Sequence, residues 1–191
     1  MTFCSWSKVT DAAALVTGPD YFPPPISACG QPAGATGGDG GILLGTMLMD
    51  MDANNPVVRL CAEGMDLERA GRREDAARVF ASAWEQSTSA LEKCIAAHYV
   101  ARGQTSPAEN LRWNLESLEH ADTILDGQVE GFYPSLYLNI GWAHEDLGNR
   151  EEARKYYELA ETRLESLPEG AYRETVRDGI ERGLQRVKAG V

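Results

Sequence analysis

Seven residues recur along this chain at one fixed spacing. Gly64, Gly71, Arg73, Glu74, Ala76, Phe80 and Ala83 are matched, each 77 residues later, by Gly141, Gly148, Arg150, Glu151, Ala153, Tyr157 and Ala160. Glycine falls on glycine, alanine on alanine and aromatic on aromatic, so the chain builds one structural unit at least twice. Within the second copy, from Tyr133 to Leu167, apolar residues return at helical spacing. Leu136, Ile140, Ala143 and Leu147 lie on one stretch, and Ala153, Tyr157, Ala160 and Leu164 on the next. Gly148 supplies a left-handed helix end between them, and Asn149 with Glu152 reads as the N-cap and third position of a new helix. The unit is a pair of amphipathic helices, neither of which can bury its apolar face alone.

Gly141 and Ala153 leave room for close approach between the paired helices, and Tyr137 and Tyr157 are large enough to fill the space on either side. The series Tyr137, Gly141, Gly148, Ala153, Tyr157, Ala160 resembles a tetratricopeptide repeat over its whole length. An offset of 77 is a little over two repeats of ~34 residues, which implies one irregular hairpin between the two regular ones. The resemblance implies an all-α fold, an α-α superhelical array of about three hairpins, at about 57–87, 89–125 and 134–166.

In the first hairpin Leu60, Leu67, Ala76, Phe80 and Ala83 form the inner face. Arg69, Arg72, Arg73 and Arg78 are interleaved with Glu63, Asp66, Glu68, Glu74 and Asp75 and read as an ion-paired, solvated surface. In the middle unit Leu91, Cys94, Ile95 and Tyr99 point inward. Ser106-Pro107-Ala108-Glu109 reads as a capping box with proline at the first helical position. The stripe Leu111, Leu115, Leu118 and Leu125 implies a second helix of about five turns, without the regular Gly and Ala positions. A last helix, about 169–188, carries Tyr172, Val176, Ile180, Leu184 and Val187 on one face and charges on the other, as a lid on an array should. Gly179 and Gly183 fit a lid that packs closely.

Composition places a boundary near Asn55-Pro56. Residues 1–55 hold 5 of the 9 prolines, 8 of the 19 glycines and one basic residue, Lys8, and read as a disordered Gly/Pro-rich segment. The run from Gly34 to Gly41 lacks the Lys-Ser/Thr of a phosphate loop. No secretory signal is expected, and Met47, Met49 and Met51 suggest a native start close to the helical domain. The net charge is −11 overall, which disfavours nucleic acid as a partner because phosphate contacts need a basic face. No apolar run is long enough to span a membrane. Cys61 and Cys94 read as buried core thiols, and the absence of any paired cysteine motif points to a reducing, cytoplasmic compartment.

The function implied by the resemblance is a protein–protein interaction or scaffold module that takes a peptide or protein segment in its concave groove. First helices pave the concave side of such arrays, which gives His98, Arg102, Asn114, Asn139, Trp142 and Glu145 as groove candidates. In some peptide-binding repeats an Asn at the place of Asn139 grips a terminal carboxylate. The corresponding places in the first unit hold Cys61, Met65 and Glu68 rather than cations, so a receptor of that kind is not expected. His144-Glu145 begins like a zinc-protease motif, but Gly148 stands where its second histidine would be. Neither a metal site, a cofactor nor a catalytic set follows from the spacing, and the chain does not read as an enzyme. One alternative is a small-molecule or enzymatic pocket built from His98, Arg102, Asn139 and His144. Another is a structural homodimer through Trp113, Trp142 or the first hairpin.

Overall fold

The computed structural model describes residues 54–189. The expectations for residues 1–53, including the nucleotide-loop and start-site readings, lie outside them. Seven α-helices follow one another with no strand among the described residues: α1 (Pro56–Arg69), α2 (Arg73–Gln86), α3 (Ala90–Arg102), α4 (Pro107–Asp122), α5 (Tyr133–Asp146), α6 (Arg150–Arg163) and α7 (Ala171–Lys188). A 3-10 turn, Leu164–Ser166, extends α6. The helices pack as three hairpins, α1 with α2, α3 with α4 and α5 with α6. Each hairpin leans on the next, and α7 covers the last one.

The two regular hairpins turn as the glycines require, with Gly71 at φ 76° and Gly148 at φ 77°. There an L-side chain would be strained. Above each turn an aromatic ring from the second helix packs on a glycine of the first. A Cβ at Gly64 would come within 2.1 Å of the Phe80 ring, and one at Gly141 within 2.5 Å of the Tyr157 ring. The close approach expected between helices is therefore ring on backbone, and both rings are fully buried.

The middle hairpin keeps the geometry and changes the chemistry. Ala76, Phe80 and Ala83 in α2, and Ala153, Tyr157 and Ala160 in α6, are spaced i, i+4, i+7 and buried. In α4 the same spacing holds Asn110, Asn114 and Ser117. Asn110 Nδ2 donates to the Ala101 carbonyl at 2.9 Å, and Ser117 Oγ to the Cys94 carbonyl at 2.6 Å, so α4 is stitched to the α3 backbone. Asn114 Nδ2 donates to the Asn110 carbonyl and side chain. Most buried polar groups are bonded in this way, and Asn114 Oδ1 is an exception, buried without a hydrogen-bond partner.

Four local expectations are corrected. Asn149 begins α6 without a side-chain bond, because its backbone (φ −84°, ψ 66°) lies outside the extended region in which a cap oxygen reaches the next turn. Ser106 also makes no side-chain cap, and Glu109 turns to Arg112 at 2.9 Å instead. The capping box is at α3: Ser89 Oγ accepts from the Glu92 N–H at 3.2 Å, and the Glu92 carboxylate accepts from the Ser89 N–H at 2.9 Å. Lastly, α4 ends at Asp122, leaving Leu125 95 % exposed, and Leu147, just beyond α5, is 39 % exposed.

Glu92 also joins the first hairpin to the second. Asn55 Nδ2 donates to it at 2.8 Å while Asn55 Oδ1 caps α1 through the Val57 and Val58 N–H groups. These bonds, the Asn55 one foremost, hold the Glu92 carboxyl down at about 2. On the surface, Arg69 pairs with Asp66, and Arg72 and Arg78 with Asp75, the solvated ion-paired face expected.

The cap is built on glycine. A Cβ at Gly179 would meet Leu138 at 3.0 Å, and one at Gly183 would meet the Tyr157 ring at 2.6 Å. Tyr157 thus lies between Gly141 of α5 and Gly183 of α7. Cys61 and Cys94 are buried free thiols, pushed up by desolvation to about 12 and about 11, which makes them inert packing groups.

Candidate binding face

Glu68 lies in the last turn of α1 and Arg102 at the end of α3, the first helices of successive hairpins. Arg102 Nη2 donates to Glu68 Oε2 at 2.9 Å, and the two side chains are 20 % and 16 % exposed. Burial raises the Glu68 carboxyl above the usual carboxylate range and lowers the Arg102 guanidinium, while the attraction between them works against both shifts. The Arg102 guanidinium stands 5.8 Å over the Tyr99 ring, and Tyr99 stacks on Phe80 at 5.3 Å. His98 is edge-on to Tyr99 with its Nδ1 buried and unbonded, and desolvation, helped by Arg102, holds it down to about 3. From α7, Tyr172 is close enough to contribute to the electrostatic field at both Tyr99 and Arg102.

The same pairing occurs once more. Glu145 is the 77-residue counterpart of Glu68, and Arg186 of α7 donates to it through Nε at 2.6 Å and Nη2 at 2.9 Å. The Tyr157 hydroxyl donates to the same carboxylate at 2.5 Å. In both places a glutamate on one first helix takes an arginine from a later helix laid beside it. To the third hairpin, α7 is what α3 is to the first, and Gly183 covers Tyr157 as Tyr99 covers Phe80.

The sequence candidates are thus sorted. His98 and Arg102 are together, with Glu68, Tyr99 and Tyr172 as neighbours that sequence reading did not select. Glu68 was legible as the partner of Glu145 in the repeat, whereas Tyr172 had no local signal because it arrives from the cap. Asn114 is corrected: it is 2 % exposed between α3 and α4, in the place of Phe80 and Tyr157, and lines no groove. Glu145 is engaged by Arg186 and Tyr157. Trp142 is half-buried beneath α7, with its ring 3.7 Å from where a Gly179 Cβ would be. Asn139 is half-buried on α5.

Two of the four residues of the alternative pocket, His98 and His144, have ring neighbours on different helices. His144 stacks on Tyr156 of α6 at 5.4 Å and desolvation lowers its pKa, while His98 packs on Tyr99 of α3. The tryptophans suggested for a homodimer have internal neighbours: Trp113 meets Trp84 edge-on at 5.0 Å, and Trp142 is under the cap. Among the described residues no group of His, Cys, Asp and Glu could hold a metal ion, and no helix is long and apolar enough to cross a membrane.

Residues 134–163 match the tetratricopeptide repeat family. The match covers α5 from its second residue and all of α6, so the third hairpin is similar to a tetratricopeptide repeat, and the first has the same ring-on-glycine packing. No curated protein and no solved structure matches the chain.

Proposed function

We propose that the protein is an interaction module that receives a peptide or protein segment on the inner face formed by α1 and α3 and overlooked by Tyr172. The observation that carries this reading is the match of residues 134–163 to the tetratricopeptide repeat family, together with the same ring-on-glycine packing in the first hairpin. At the third hairpin the Glu145–Arg186 pair lies among helices already packed face to face, with Tyr157 bonded into it. At the first and second hairpins the equivalent pair joins α1 to α3 beside Tyr99 and His98, with Arg102 and Glu68 20 % and 16 % exposed against 27 % and 23 % for Arg186 and Glu145. Stacked helical hairpins present extended concave surfaces of this kind, and tetratricopeptide repeats use theirs to bind protein segments.

The test is affinity capture with the tagged full chain, followed by mass spectrometry, on wild type, Arg102→Ala and Arg154→Ala. Arg154 is half exposed on the outer helix α6. A saturable partner held by wild type and Arg154→Ala but lost by a folded Arg102→Ala supports the reading. Capture indifferent to Arg102 contradicts it.

A further inference from the structure

Aspartate is followed by glycine at Asp39-Gly40, Asp126-Gly127 and Asp178-Gly179, the first of which lies outside the described residues. The other two occupy opposite settings. Asp178-Gly179 is inside α7, where the Gly179 N–H belongs to the helical ladder and the Asp178 carboxylate stands 3.8 Å from Arg182. Asp126-Gly127 is in the connection between α4 and α5, with both residues exposed and Gly127 at φ 79°. The Gly127 N–H has no acceptor among the described residues. The Asp126 carboxylate is curled back along its own chain, Oδ1 accepting from the Gln128 N–H at 3.1 Å and Oδ2 from Gln128 Nε2 at 2.7 Å. The carbon of that carboxyl and the Gly127 nitrogen are the two ends of a five-membered ring. Closing it requires a rotation about the bond between Cα and the main-chain carbonyl carbon of Asp126. A glycine neighbour on an open loop permits that rotation, and a helix forbids it.

We propose that Asp126 is a site of spontaneous backbone isomerisation to isoaspartate, and that Asp178, with the same neighbour, is shielded from it by α7. In the first step the Gly127 nitrogen attacks Cγ of the protonated Asp126 carboxyl. A C–N bond forms, the C–OH bond breaks, and the hydroxyl leaves with the amide proton as water. In the second step water opens the ring. Addition at Cγ restores aspartate, whereas addition at the main-chain carbonyl leaves Gly127 linked through Cγ and a free α-carboxylate on residue 126. No oxidant or other reactant enters, and the net charge is unchanged. The product has one more methylene in the main chain, and the carboxylate that accepted from Gln128 has been consumed by the link. Downstream, the same connection buries Val129 and Phe132. Glu130 ties it to Arg163 of α6 at 2.9 Å, and its carbonyl accepts from Ser166 Oγ at 2.8 Å. The change therefore falls on the joint between the second and third hairpins. The new α-carboxylate is the group that methyltransferases specific for L-isoaspartate esterify, which makes the aged chain a substrate of that class.

The experiment ages the full chain at neutral pH in three samples: folded wild type, wild type unfolded in guanidinium chloride, and folded Asp126→Glu, whose side chain would have to close a less favoured six-membered ring. Isoaspartate is located by fragment mass spectrometry of the digested samples. The intact folded samples are also offered to an isoaspartyl methyltransferase with labelled S-adenosylmethionine. Folded wild type is expected to accumulate isoaspartate at Asp126 at least tenfold faster than at Asp178, and Asp126→Glu to take up less label than wild type. In the unfolded chain the two sites are expected to convert at similar rates, which assigns the difference to the fold rather than to the flanking residues. Equal conversion of both sites in the folded chain, or conversion at Asp126 that begins only on unfolding, overturns the inference. So does a preference for Asp126 that persists unchanged in the unfolded chain.

Discussion

Tyr157 shows how much of the structure depends on single positions. Its ring is between the backbones of Gly141 and Gly183 and its hydroxyl bonds to Glu145, so one side chain fastens α5, α6 and α7. Gly141→Ala would gain about 1 kcal/mol of helix propensity but place a methyl group 2.5 Å from the ring. Overpacking of that kind costs about 1–3 kcal/mol. A lower urea midpoint is expected for Gly141→Ala; an unchanged or higher one would show that the ring is not seated on the glycine. His98 makes a pH-dependent contribution of definite sign. Its folded-state value of about 3 is below the ordinary 6.5, so the unfolded chain binds the extra proton first. Stability associated with neutral His98 is present above pH 6.5 and is lost as the pH falls from there toward 3, by up to ~1.4 kcal/mol per pH unit. Urea unfolding at pH 7 and pH 5 should therefore show a larger loss for wild type than for His98→Gln. Equal losses would place His98 in contact with solvent.

At the scale of the helix, capping separates two serines that look alike in the sequence. Ser89 has a reciprocal bond with Glu92, and Ser106 has none. Ser89→Ala should cost about 1 kcal/mol in thermal or urea unfolding, and Ser106→Ala close to nothing; similar costs for both would contradict the assignment. The cap helix has the larger effect. Leu138, Tyr157 and Leu164 pack against Val176, Ile180 and Leu184 of α7 in one buried cluster. Removing residues 168–191 would uncover that cluster, and aggregation or a lower melting temperature is expected; an unchanged melt would deny α7 its role. What was legible in sequence follows the same division. The hairpins, their glycine turns and the cap could be read because each depends on local spacing, 3.6-residue periodicity or a single backbone conformation. Asn114 was misassigned because a polar residue in a helix reads as surface, and only the register with Phe80 and Tyr157 shows it to be interior. Glu109 and Asn149 were assigned capping roles on composition, which does not reveal a competing Arg112 or an unsuitable ψ. Tyr172 approaches Tyr99 and Arg102 only through the path of the whole chain.

At the scale of the molecule, the described residues form three stacked hairpins and a final helix laid down as the first helix of a fourth. The repeated Glu–Arg pair and the repeated ring-on-glycine contact are the joints. The hairpin at 134–163 matches the tetratricopeptide repeat family, and there the small and aromatic positions Tyr137, Gly141, Gly148, Ala153, Tyr157 and Ala160 coincide. The middle unit keeps the geometry with Asn110, Asn114 and Ser117 in place of Ala, aromatic, Ala. That substitution exchanges apolar packing for bonds to the α3 backbone, and it accounts for the irregular unit that the 77-residue offset implied. The most direct measurement of this stacking is the Hα chemical shifts of the glycines in a heteronuclear NMR spectrum of the full chain. Gly64, Gly141 and Gly183 lie against the faces or edges of Phe80 and Tyr157 and are expected to show large ring-current shifts, while Gly71 and Gly148, which have nothing packed on them, are expected near ordinary values. Ordinary shifts at all five glycines would mean that the rings do not cover the helices and that the hairpins do not stack as described.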